Sequence, residues 1–232
     1  MLELAEPLAS QQSKRRADNV YHALKRAILL RERLPGDALL EQDLAGEMNC
    51  SQGTIREALM RLQGDGLVTR RGYRGTVVSD TSADEAALLT AIRIRIETMS
   101  AERAACSAAQ ADFEELEIIV SLMRDYEAAG EIYGLSELDH RFHAVILRAA
   151  ALEAVEPILT RCMLHIHRHT MGNPLRRGRS QYENASVAHE ALLKAIESRS
   201  VDKSRAAMRD HIESVLKRWS PAVWKIVPAI SA

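Results

Sequence analysis

A mainly α-helical chain in two parts is what this sequence predicts, on three observations. Apolar residues recur at helical spacing over almost the whole length, and the one stretch with strand character is a short glycine-centred hairpin ahead of residue 80. Aromatic residues are only 4% while Ala, Leu, Ile, Glu and Arg abound, a composition that favours helices. The 232 residues fit two domains of roughly 100–200 residues each, and 47% hydrophobic against 27% charged residues is enough to build two cores.

The first helix is expected over Asp18–Arg31, with Val20, Leu24, Ala27 and Ile28 on one face and Asp18 or Asn19 as N-cap. Leu-Pro-Gly-Asp then breaks it. A short helix is expected over Leu39–Met48, with Leu40, Leu44, Ala45 and Met48 turned inward and Asn49 as its stop residue. After Cys50-Ser51 comes a third helix whose inner stripe is Ile55, Ala58, Leu59 and Leu62, ending at Gly64-Asp65-Gly66. Residues 67–71 and 76–78 are β-rich arms around Gly72-Tyr73-Arg74-Gly75, a hairpin pattern.

Helix, helix, turn, helix and hairpin, in that order, make a winged helix-turn-helix, and the third helix is its recognition helix. Its polar start would then face base edges. Gln52 offers an amide suited to adenine and Arg56 a fork suited to guanine or phosphate, while Ser51 caps the helix and Thr54 reaches a phosphate. Arg70, Arg71 and Arg74 supply charge in the hairpin, and the glycines allow close backbone approach. Charge agrees: residues 13–78 hold 12 Lys/Arg against 8 Asp/Glu in a chain of net charge −1.

The small polar residues 79–83 place a domain junction there, giving a DNA-binding domain over 13–80, an all-helical domain over 81–220 and a tail over 221–232. Helices are expected over Ser82–Ser107, Asp112–Ala128, Ile132–Ala149, Leu152–Met171, Ser180–Ser198 and Val201–Trp219, an antiparallel bundle. No apolar run reaches the roughly 18 residues of a membrane span. Nor does the start resemble a secretory signal, and the three scattered cysteines suit reduced thiols in a cytoplasm, where they fill core gaps.

Four polar residues fall on apolar helix faces. Asp139 and His143 are four apart beside Phe142 and Ile146; His189 lies with Leu192, Leu193 and Ile196; His211 lies with Met208, Ile212 and Val215. Unpaired, such groups cost roughly 1–3 kcal/mol each when buried. Two readings stand on periodicity alone: hydrogen bonds to local neighbours, or one shared divalent ion, for which imidazole and carboxylate donors suit Zn, Ni, Mn or Fe. His165, His167 and His169 read as a partly exposed helix surface, and His22 and His140 as solvated or locally packed. HExxH, GxSxG, Walker and GxGxxG motifs are all missing from the sequence, so a metal-dependent hydrolase is the weaker alternative to a regulator.

The run LLEQDLAGEMNCSQGTIREALMRLQGDGLVTRRGYRGTVV resembles the DNA-binding domain of the GntR family of bacterial transcription regulators. Downstream, IRIRIE, DHRFH, His189 and His211 resemble the FCD ligand domain of its FadR subfamily. The resemblance implies an effector-responsive homodimer that binds an inverted-repeat operator on double-stranded DNA and usually represses. Carried over by position, its DNA contacts fall on Gln42, Ser51, Gln52, Thr54, Arg56, Gly72, Tyr73, Arg74, Gly75 and Thr76. Arginine is commoner in the family where Gln42 and Gln52 stand, and proline where Gly53 stands. The resemblance also assigns Asp139, His143, His189 and His211 to a metal ion that helps bind a small organic acid. Arg93 then pairs with the effector carboxylate or, alternatively, forms a structural salt bridge. A metal-ion sensor without an organic effector shares every one of these motifs.

Overall fold

The computed structural model describes residues 8–72, 75–171 and 184–228. It divides into two units, Met1–Asp80 and Thr81–Ala232, each with its own core. Tyr73, Arg74 and the expected helix start at Ser180 lie outside the described residues.

In the first unit, α1 (Leu8–Leu29) begins well before Asp18, because nothing between Leu8 and Arg16 breaks a helix. Asp18 is therefore not an N-cap; its Oδ1 accepts a hydrogen bond from Arg61 at 2.5 Å. The chain turns at Gly36, whose φ of 89° favours glycine, and Leu34 N donates to Asp37 Oδ2 at 2.7 Å. Here the expectation of a helix from Leu39 fails. Ala38–Leu39 is a strand, β1, paired antiparallel with β3, and Leu39 rather than Leu40 enters the core. Leu40 is about half exposed and precedes α2 (Glu41–Glu47), from which Leu44 is buried.

Asn49 takes a left-handed φ of 48°, and α3 (Gln52–Gly64) follows. Ser51 Oγ accepts from Thr54 N at 3.1 Å, a cap typically worth about 1 kcal/mol. The inner stripe Ile55, Ala58, Leu59 and Leu62 packs with Val20, Leu24 and Ile28 of α1 into a core shared with Leu67 and Val77. Strands β2 (Val68–Arg70) and β3 (Thr76–Val78) pair Val68 with Val78 and Arg70 with Thr76, and the sheet order is β1-β3-β2.

The second unit is helical throughout its described residues. Helix α4 (Ala83–Ser107) opens on a reciprocal cap in which Ser82 Oγ accepts from Glu85 N and Glu85 accepts from Ser82 N. Then follow α5 (Gln110–Ala129), closed by Gly130 at φ 71°, α6 (Ile132–Ala149), a 3-10 turn at Glu153–Val155, α7 (Glu156–Met171), α8 (Ala185–Glu197) and α9 (Val201–Trp219). Their apolar stripes meet around Ile94, Leu116, Phe142, Ile146, Leu192 and Ile212. Residues 221–228 differ from the expected tail: α10 (Pro221–Trp224) starts with proline at its first turn, and Val223 and Val227 join this core. Among the described residues, no helix is long and apolar enough to cross a membrane.

Candidate functional site

At the front of the first unit, α2 and α3 present Gln42, Ser51, Gln52 and Arg56 to solvent, and Arg71 and Gly72 are exposed beyond β2. Gly72 and Gly75 carry φ of 45° and 69°, so the hairpin bend needs their freedom at both ends. Thr76 is half-buried. Thr54 differs from its expected role: it is buried, and its hydroxyl lies 2.9 Å from Ser51 Oγ, so it fixes the helix start rather than reaching outward. Arg56 is exposed yet engaged. Its Nε lies 3.1 Å from both oxygens of Glu41, and its Nη2 donates to Glu41 Oε2 at 2.6 Å. That pair lowers the Glu41 carboxyl below its ordinary range, chiefly through the hydrogen bonds from Arg56.

In the second unit, α6, α8 and α9 bring Asp139, His143, His189 and His211 together, one donor atom from each lying within 4.8 Å of the others. An ion bound at about 2.0–2.2 Å spans at most about 4.4 Å between opposite donors, so a shift of a few tenths of an ångström closes the set. The three histidines are buried and Asp139 is half-buried. His189 Nδ1 donates to Ala185 O at 2.8 Å, which leaves its Nε2 facing Asp139 Oδ1 at 3.0 Å. Two lone pairs at that distance repel unless a proton or a cation lies on the line between the groups. Among the described residues, His211 has no hydrogen-bond partner at either ring nitrogen. Burial first, then the neighbouring His189 and His143, push its pKa well below 6.5, so it is a neutral imidazole with a free lone pair.

Around the cluster stands a shell of charged groups. Glu97 of α4 abuts His143 Nδ1 with one oxygen and accepts from Arg93 Nε with the other. The first contact directs the His143 ring so that Nε2 faces the cluster. Burial alone would raise the Glu97 carboxyl, but Arg93 and His143 hold it below its ordinary range. Arg93 is itself buried, and its Nη2 lies 3.3 Å from His143 Nε2. Burial opposes its charge, and Glu97 with Asp139 offsets that cost. His167 of α7 lies 3.2 Å from Asp139 Oδ2. Burial would raise the Asp139 carboxyl, but His167 at one oxygen and His189 at the other, with His143 nearby, keep it well below the ordinary carboxylate range.

Residues 16–78 match the bacterial regulatory proteins of the gntR family, and residues 88–214, more than half of the chain, match the FCD domain. The chain belongs to the GntR family. It is a DNA-binding transcription regulator with an FCD domain, not an enzyme. Among similar proteins, a regulator in the TAR-I ttuE-ttuC' intergenic region of Agrobacterium vitis is 30% identical over 64% of this chain and 92% of its own length. The repressor RspR of Escherichia coli K12 is 25% identical over 84% of this chain and 85% of its own. The structure of E. coli McbR/YncC shares the fold, with a TM-score of 0.74 at 15% identity over 87% of this chain and 95% of that one.

Several partners in this GntR regulator leave no mark in the sequence. Glu97 follows Arg93 by four residues, a spacing that on a helix reads as a surface ion pair, and only tertiary packing buries it. His167 sits between two histidines and belongs to the cluster's surroundings. His165 is not on a surface: it is buried, with Nδ1 2.6 Å from the Thr81 hydroxyl. His140 lies 2.8 Å from the Thr160 hydroxyl. Cys162 fills core space as expected, whereas Cys106 is exposed.

Proposed function

We propose that this protein binds an inverted-repeat operator as a homodimer and represses, and that a small organic acid bound at a divalent metal in the FCD domain controls its operator affinity. The observation that carries the metal reading is His211, buried and neutral with neither nitrogen hydrogen-bonded, beside the His189 nitrogen left facing a carboxylate. Asp139, His143, His189 and His211 would hold the ion, with Zn, Ni, Mn or Fe suited to three imidazoles and one carboxylate. When bound, the ion supplies Lewis-acid attraction for a carboxylate oxygen. Arg93 then withdraws its N–H from His143 and offers that donor to the effector carboxylate, while Glu97 keeps the guanidinium in place.

On the DNA side, the reading assigns Gln42, Gln52 and Arg56 to base edges or phosphate. Ser51 and Thr54 set the start of the recognition helix, and Arg71, Gly72, Tyr73, Arg74, Gly75 and Thr76 form the wing. The repressor named among the similar proteins supports the direction of control.

Metal analysis of protein prepared without chelator is expected to find about one ion per chain in the parent and a largely empty His189→Ala variant, since losing one of four ligands costs most of the affinity. Equal metal content in both would reject the assignment. Operator retardation measured with the ion alone, and with the ion plus a panel of small carboxylic acids, separates the two regulatory readings. Response to the ion alone points to a metal sensor; response only with an acid present supports the effector.

A further inference from the structure

The contact between Glu41 and Arg56 spans two helices and uses one whole edge of the guanidinium. Both Glu41 oxygens lie 3.1 Å from Nε, and Oε2 takes Nη2 at 2.6 Å. Arginine carries five N–H donors in a fixed plane. The Nε edge is therefore occupied, and the Nη1 donors, with the second Nη2 hydrogen, point away from Glu41. The side chains are 28% and 59% exposed respectively, so the free edge of Arg56 remains open to solvent while the carboxylate lies behind it. Glu41 also stands in the first turn of α2, where a helix N-terminus favours negative charge. Arg70 adds attraction at longer range.

A surface ion pair of this exposure contributes little to stability. Its effect on binding is larger, for two reasons. An unbuttressed arginine on a flexible stem reaches any nearby phosphate, and each such contact strengthens binding to every sequence alike. A carboxylate beside it cancels that indiscriminate attraction and holds the fork in one orientation, where it meets a base edge or one defined phosphate oxygen.

We propose that Glu41 is a positioning residue for DNA recognition: it aims Arg56 and suppresses sequence-independent binding, so that operator selectivity depends on the pair. This rests on the reading of Arg56 as a DNA contact, and the test separates the two.

The experiment uses the full-length chain and two labelled probes: a short duplex of randomised sequence, and an operator selected from that pool with the parent protein. Affinities are measured across a salt series for the parent and for Glu41→Gln, Glu41→Asp, Arg56→Ala and the Glu41→Gln/Arg56→Ala double variant. Thermal unfolding checks that each variant is folded. Glu41→Gln is expected to bind the random duplex more tightly, with a salt slope steeper by about one. Its operator-to-random ratio is expected to fall by about tenfold, within the range for one oriented bidentate contact. Glu41→Asp, which keeps the charge but shortens the reach, is expected to lose selectivity while leaving random binding nearly at the parent's level. In the Arg56→Ala background, Glu41→Gln is expected to change selectivity no further. An unchanged ratio in Glu41→Gln with a damaged Arg56→Ala overturns the role of Glu41 alone. Equal loss on adding Glu41→Gln to Arg56→Ala does the same, and full operator binding by Arg56→Ala overturns both readings.

Discussion

His211 carries an unusual constraint for a single residue, because it is buried, neutral and without a hydrogen bond at either nitrogen. Leaving those two groups unsatisfied costs roughly 1–3 kcal/mol each. Its titration has a definite sign. In the folded, metal-free chain the imidazole resists protonation far below 6.5, whereas in the unfolded chain it takes up a proton near that value. The unfolded state therefore binds more protons as pH falls through 6.5, and stability drops at up to about 1.4 kcal/mol per pH unit for this one group. Urea unfolding of chelator-treated protein from about pH 7.5 to about pH 5 is expected to show a steeper loss in the parent than in His211→Asn, which has no proton to gain in that window. Parallel curves for the two proteins would contradict the burial argument.

Among the elements, α10 is the one whose standing changes most between sequence and structure. Val223 is 2% exposed and packs into the helical core, so Val223→Ala is expected to cost roughly 1–3 kcal/mol, read as a lower urea midpoint for the FCD unit. A detached tail would show no change. Its sequence gave little notice, since Pro221 after Trp219 looks like the end of a helical chain. By contrast, α6 and α9 begin and end where their periodicity places them, because each stripe is long and Ser200 caps α9 through Lys203 N. Strand β1 shows why local pattern fails: Leu39 and Leu40 are equally apolar, and the choice between them is made by pairing with Thr76 and Val77, far along the chain. The same holds for the candidate site. Helical spacing put Asp139, His143, His189 and His211 on apolar faces and the family resemblance made them one candidate set, but Glu41, Glu97 and His167 become partners only across helices.

At the scale of the whole molecule, two cores imply two unfolding reactions. A ligand stabilises only the unit that binds it, by about 2.7 kcal/mol at one hundred times its dissociation constant. Titrating a divalent ion into chelator-treated protein is thus expected to raise one thermal transition and leave the other in place. Helix α7 adds a mechanical link within the second unit. His165 touches Thr81, the residue after Asp80 where the first unit ends, and His167 touches Asp139 in the cluster. Side chains two positions apart project about 200° apart on a helix, so these contacts grip opposite flanks of one rod. Rolling that rod about its long axis to loosen the grip on the acid must also strain the contact with Thr81, as a crankshaft cannot turn one throw without the other.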